Sequence, residues 1–247
     1  MKTGGQYICL WLVAMAGAIW LGCFLLYPGF TPPLSPSLSA DEVAAFYRNP
    51  DNLWRARYSM ILFNWFGFGL LPLYGVIVVQ MKRMKLYSDV LPYGYLAAAT
   101  SGVGLFATTD LYFLLAAFRP ERDPAITQMI NDLAWLNFTA PVGFLIAQNV
   151  ALAIGIYLDK QASPIFPKWV ALFNVLIALL IAPAAISAMT LTGPLAWDGI
   201  WSFWVRLGAI TLWAIVMFFV CWGAVSREKR EAREMVSGHG ALQGAAL

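Results

Sequence analysis

Asp110, Asp132 and Arg206 stand inside long apolar runs, where an ionisable side chain is costly and calls for a partner, water or a purpose. Two carboxyl groups and a guanidinium at similar depth support three kinds of chemistry. Arg206 can pair with Asp110 or Asp132, leaving the other acid protonated or beside water. The unequal acids can form a proton-switchable or cation-binding site. They can also act as acid and base, which makes Asp110 and Asp132 the catalytic candidates. Asn64, Asn131 and Trp135 join these three as candidate ligand-binding residues.

The elements that must position them are six apolar runs, at about 7–27, 58–81, 90–118, 126–158, 167–192 and 200–225. Each meets the roughly 20 residues needed to cross a hydrocarbon core about 30 Å thick. Asn64 lies six residues beyond Tyr58, Asp110 nine before Arg119, Asn131 and Asp132 five and six after Ile126, and Arg206 six after Ile200. At a rise of about 1.5 Å per residue these sit roughly 9–14 Å inside their helix ends, so four helices offer polar groups to one layer. Along the fourth run Gln128, Asp132, Trp135, Thr139, Ile146 and Asn149 follow helical steps and predict an inward polar stripe. Pro72, Pro141 and Pro183 interrupt their helices and deprive the carbonyls of Phe68, Asn137 and Leu179 of their usual donors. Gly67 and Gly69 just before Pro72 predict a bend or close helix packing there.

Composition narrows the class. Sixty per cent of the 247 residues are apolar and 12 per cent charged, which excludes a water-soluble globular domain. The ten-residue alternation of a membrane barrel is missing, so backbone satisfaction within each segment predicts an all-α bundle. The single histidine, His239, lies in the C-terminal tail, which removes the ligands of a bis-histidine haem, a histidine-bound copper or a zinc-protease site. Cys9, Cys23 and Cys221 fall within spans and form no CxxC pair. Phosphate-binding glycine loops, HExxH and nucleophile elbows are missing, and no lysine lies in a span where retinal could attach as in microbial rhodopsins. No cofactor, metal or nucleic-acid partner is expected.

With six spans the termini share a side. That side carries ten positive residues (Lys2, Lys82, Arg83, Lys85, Lys160, Lys168, Arg227, Lys229, Arg230, Arg233) against five on the other (Arg48, Arg55, Arg57, Arg119, Arg122), which predicts cytoplasmic termini. The connector 28–57 opens with Pro32-Pro33-Leu34-Ser35-Pro36, an extended, stiff run. Ser39 and Glu42 then match a capping box, predicting a short external interfacial helix over 40–48, with Val43, Phe46 and Tyr47 on the bilayer surface or over the bundle mouth. Aromatic residues near the span ends, among them Trp54, Tyr58, Trp65, Tyr87, Tyr93, Tyr95, Trp169, Trp197, Trp201 and Trp204, are expected as interfacial anchors; the three near residue 200 could also line a ligand site. Gln80, Asp159 and Asn174 are expected to meet water, Asp198 to cap the sixth helix, and Asn149 to bond between helices.

The expected organisation is a single six-helix transmembrane domain over 1–225, followed by a charged helix end and flexible tail over 226–247. The expected location is a bacterial inner membrane. The favoured function is binding or transport of a small, largely apolar or amphipathic molecule at the polar layer. One alternative is an intramembrane acid–base isomerase or cyclase acting on a lipid or terpenoid. The other is an accessory subunit, with a membrane protein or a second copy as partner besides the lipid bilayer.

Overall fold

Lipid offers backbone amides no water, so an apolar run must close its own hydrogen-bond ladder, and the chain does so by helix throughout. The computed structural model describes the backbone of residues 2–86 and 88–244. Among the described residues there is no strand, only an isolated bridge between Phe30 and Pro33. The helices are α1 (Lys2–Leu26), α2 (Ala40–Arg48), α3 (Pro50–Phe66), α4 (Leu71–Met81), α5 (Val90–Phe118), α6 (Pro124–Thr139), α7 (Gly143–Leu158), α8 (Trp169–Ile181) and α9 (Arg206–Gly244). A 3-10 segment, Ala182–Met189, continues α8, and a π-helical segment, Ile200–Val205, leads into α9.

Together they make six stretches long and apolar enough to cross a membrane: Thr3–Leu26, Pro50–Met81, Val90–Phe118, Pro124–Leu158, Trp169–Met189 and Ile200–Met235. These are the six expected spans, and the pattern is that of a multi-pass integral membrane protein. Large apolar side chains on the outside, such as Ile8, Trp11 and Met15 of α1 and Leu172, Leu176 and Leu179 of α8, would be a liability in water and suit lipid.

Only the first and third spans run unbroken. The second breaks over 67–70: α3 and α6 are built alike, each with an Asx cap (Asn49, Asp123), a proline in the first turn and a break some 16 or 17 residues on. At the first break, the Phe68 carbonyl takes Leu71 N at 2.9 Å in place of the donor that Pro72 lacks, and Trp20 Nε1 of α1 donates to the Phe66 carbonyl at 2.9 Å. A side chain at Gly69 would run into Ala16, so that glycine lets α1 touch the break. The second break, at 140–142, follows from Pro141, and Pro183 turns the end of α8 into 3-10 geometry.

Helix C-termini leave carbonyls without donors, and here cationic side chains take them. Arg55 Nε donates to Leu26 O of α1 at 3.0 Å. Arg57 grips Ala117 O and Phe118 O at the end of α5, and Arg122 Nη1 reaches Leu115 O on the same helix. Lys168 Nζ bonds Ile156 O, Tyr157 O and Asp159 O at the end of α7. Each positive charge also meets the negative end of a helix dipole.

Two ends of the bundle are thereby defined. Both described termini lie at one, where Tyr7 Oη bonds Ser226 Oγ at 2.8 Å and Gln6 Nε2 donates to Glu228 Oε2 at 3.0 Å. Gln80 donates to both Gln6 and Glu228, and Arg83 pairs with Glu231 at 2.7 Å, closing a polar clasp among α1, α4 and α9. Gln80, Asp159 and Asn174, expected in water, are therefore buried. Gln80 sits in the clasp, Asp159 accepts the amides of Lys85, Gln161 and Ile165, and Asn174 accepts Trp213 Nε1 at 3.0 Å. The tail differs too. Residues 237–244, expected to be irregular, continue α9, while Tyr87 and residues 245–247 lie outside the described residues.

The other end carries the 27–49 connector. Its α2 begins with the expected capping box, Glu42 N to Ser39 Oγ and Ser39 N to Glu42 Oε2. Val43 and Tyr47 are buried, so α2 covers the bundle mouth and packs on α6 and α3. Asp198 does not cap the sixth span. Gly199 occupies the cap without a side-chain bond, after a tight turn that puts Gly193 at φ 88°, a left-handed conformation suited to glycine.

Replacing Arg57 by alanine should strand two carbonyls and cost roughly 1–3 kcal/mol, read as a lower melting temperature in detergent, with lysine recovering part of the loss. Hydrogen bonds from Ser39 hold the exposed Glu42 carboxyl below its ordinary range. The stabilisation is thus complete above the ordinary carboxylate pKa and lost as pH falls through the lowered one. Ser39→Ala should flatten that acid-side dependence in melting curves between about pH 7 and pH 3.

Candidate functional site

The inward face of α6 carries Thr127, Ile130, Asn131, Ala134, Trp135 and Thr139, all buried. It is centred on Asn131 and Trp135, one helical turn apart, rather than on the expected stripe through Gln128 and Asp132, which flank it. Asn131 Oδ1 accepts Tyr47 Oη of α2 at 3.0 Å, and Tyr47 meets Tyr27 Oη at 3.1 Å. Asp132 is half-buried beside Asn131 and near Tyr47, and Gln128 Nε2 donates to Leu38 O of the connector at 2.9 Å. A polar seam therefore joins the connector to α6.

Beneath it lies an aromatic cluster with Phe30 at its centre. Phe30 is 2% exposed and contacts the rings of Phe24, Tyr27, Phe63, Phe113, Trp135, Phe138 and Phe203. It belongs to no helix: the loop after α1 dips inward and sets one ring into the space among five spans. Trp197 stacks on Trp135, centroids 6.3 Å apart and planes at 7°, and its Nε1 donates to Leu34 O at 2.7 Å. Trp197 thus faces the layer, whereas Trp201 and Trp204 are exposed, as are Trp54, Tyr58, Trp65, Tyr93 and Trp169 among the expected anchors. Tyr95, expected with them, is fully buried.

The predicted charge pairing does not form. Among the described residues no ion pair involves Asp110, Asp132 or Arg206. Asp110 sits one helical turn from Phe113 on α5, 2% exposed, with Cys23 of α1 near its carboxyl group. Arg206 is taken by the backbone instead. The break at 140–142 turns Val142 N onto Ala140 O and frees the Phe138 carbonyl, which accepts Arg206 Nη2. The guanidinium carbon lies 4.9 Å from the centre of the Phe138 ring. A carbonyl without a donor at a helix end attracts a cation much as an acid does, and it lies on the adjoining span. Thr139 Oγ1 bonds Ser187 Oγ beside the same break, and Asn137 Nδ2 bonds Thr109 Oγ1, tying α6 to α5 next to Asp110. Asn64 ends up apart: it is half-buried on the last turn of α3, and its side chain enters no hydrogen bond among the described residues.

Three of the predicted residues nonetheless share a property. Asp110 Oδ2, Trp135 Nε1, and Arg206 Nε and Nη1 are buried without a protein hydrogen-bond partner. Such groups are rare in folded proteins and mark places that a ligand or solvent completes. The remaining unpartnered buried side-chain atoms, Tyr95 Oη, Gln148 Oε1 and Asn149 Oδ1, lie in a second polar layer toward the terminal end. There Gln148 lies beside Tyr74, Asn149 Nδ2 bonds Leu145 O of its own helix rather than another helix, and Asn174 accepts Trp213 Nε1. The signal for this second layer was two adjacent amides, Gln148 and Asn149, in the middle of an otherwise apolar helix. No group of three or more His, Cys, Asp or Glu side chains that could hold a metal ion occurs among the described residues.

No protein family, curated protein or solved structure matches this chain. Fold and site define a multi-pass helical bundle with a buried, aromatic-lined polar layer beneath its connector.

A double-mutant cycle separates backbone capping from ion pairing. Arg206→Met should destabilise by roughly 1–3 kcal/mol through the stranded Phe138 carbonyl, and Asp110→Asn by less. The two effects should add within about 0.5 kcal/mol in melting measurements, whereas an ion pair would make them couple.

Proposed function

We propose that this protein binds a small, largely apolar molecule in the connector-end layer and carries it toward the opposite end of the bundle. One observation bears the weight of this reading: Asp110, Trp135 and Arg206 hold buried polar atoms without protein partners around one aromatic cluster. Pockets for such molecules combine apolar walls with a few convergent polar groups. The donors of Trp135 and Arg206 suit an oxygen acceptor on the ligand, and Asp110 suits a hydroxyl or other donor. Phe30 fills the ring-sized space, packed on seven rings, and its backbone belongs to the connector loop rather than to a span. Trp197 on Leu34 O, Gln128 on Leu38 O and Ser37 on Leu191 O fasten that loop, so it can lift without unwinding a span. In this reading the connector end faces outward across a bacterial inner membrane, the termini lie in the cytoplasm, and α2 is the external interfacial helix. Asp110 and Asp132 face different neighbours, Cys23 and the Asn131–Tyr47 seam, which weighs against the two-carboxylate acid–base alternative.

The test is equilibrium binding to purified protein in lipid nanodiscs, using pairs of ring or isoprenoid probes that differ only by one oxygen. The oxygen-bearing member of a pair should bind saturably and at least about tenfold more tightly than its hydrocarbon counterpart, since a site built to hydrogen-bond rejects the analogue that cannot. Arg206→Met should erase that preference, and Phe30→Ala should tighten binding by removing the competing ring. Reconstituted vesicles should show flux of the same probe. Absence of saturable binding across the series, or equal binding of both members, would refute the reading.

A further inference from the structure

The second polar layer borders a small cavity of about 10 Å³, lined by Leu70, Tyr74, Leu145, Gln148, Asn149, Ile177, Ile181, Ile210 and Trp213. Every broken span reaches it. Leu70 ends the 67–70 break, Leu145 lies in the first turn of α7 after the 140–142 break, Ile181 is the last α-helical residue before the 3-10 segment, and Ile210 lies in the first turns after the π-helical segment. Two of the lining residues, Gln148 and Asn149, are 1% exposed, and the amide oxygen of each has no protein donor. The nitrogen of Asn149 is spent on Leu145 O at 2.7 Å, and Gln148 lies beside Tyr74. Two acceptors that lack donors therefore belong to residues that line a space about the size of one water molecule.

We propose that Gln148 and Asn149 bind a single buried water, which joins α7 to α4 at the meeting point of the four discontinuous spans. The chemistry selects this occupant. A water offers two O–H donors to two amide oxygens, and its own oxygen can accept the Tyr74 hydroxyl, giving the three bonds usual for an internal water. A metal cation wants a fuller cage of oxygens and a counter-charge, and the remaining walls are apolar. Irregular backbone at membrane depth survives where protein or a small polar cavity satisfies it, and this cavity lies where the irregularities converge. This inference does not depend on the connector-end ligand.

A structure of the full chain at a resolution that shows ordered water should reveal one peak within hydrogen-bond distance of both Gln148 Oε1 and Asn149 Oδ1. Exchange into H₂¹⁸O should move a discrete internal-water band in the infrared spectrum of the wild-type protein. The Gln148→Met, Asn149→Leu double variant should lose both the peak and the band. Should that variant not fold, the wild-type measurements decide alone. An empty site at that resolution overturns the proposal. So does a melting temperature that falls when sodium and potassium are replaced by choline, which would assign a cation instead.

Discussion

Helix ends and breaks leave backbone carbonyls without donors in a medium without water, and five cationic side chains are spent on them. Arg55 closes α1, Arg57 and Arg122 close α5, Lys168 closes α7, and Arg206 closes the broken end of α6. Guanidinium groups suit this task because several N–H groups lie in one plane and the charge complements the helix dipole. The same demand explains why Arg206 makes no ion pair among the described residues. The carbonyl is fixed at the Pro141 break, and the ring of Phe138 offers the cation a second favourable surface.

With the arginine committed to the backbone, polar atoms are left over, and their distribution divides the interior into two layers. The layer near the connector is aromatic and closed by a loop residue, Phe30. The layer nearer the termini is tight, amide-rich and lined by helix residues together with Leu70 of the 67–70 break. A ring inserted from a loop can be exchanged for another ring at the cost of a few side-chain-to-backbone bonds, whereas the inner layer offers space only for something of water's size. The two layers therefore suit different tasks, one admitting a molecule and the other stiffening the joint of four broken spans.

Legibility followed the range of the interaction that sets each feature. The capping box of Ser39 and Glu42, the proline breaks and the six apolar runs depend on residues a few positions apart, and all are found where expected. The candidate site was legible in part. Asp110, Trp135 and Arg206 were recognisable as polar or amphipathic candidates within spans, and they carry the unpartnered atoms of the connector layer. Their partners were not legible, because carbonyl acceptors leave no mark in a sequence: nothing in the letters says that Phe138 O will be free or that Arg206 will reach it. Gln80, Asp159 and Asn174 misled for the same reason, since whether a polar residue near a span end meets water or another helix depends on its neighbours in space.

Residue order alone thus determined class and element count, because a run of some 20 apolar residues has one low-energy solution in a bilayer, the helix. It also marked Asp110, Asp132 and Arg206 as ionisable groups within spans. The tertiary structure decided which of them meet, what Phe30 plugs, and that Gln148 and Asn149 share a cavity with Tyr74 and Trp213. Those outcomes rest on contacts between residues far apart in the chain, set by where the breaks bend each span, and no local pattern of residues encodes them.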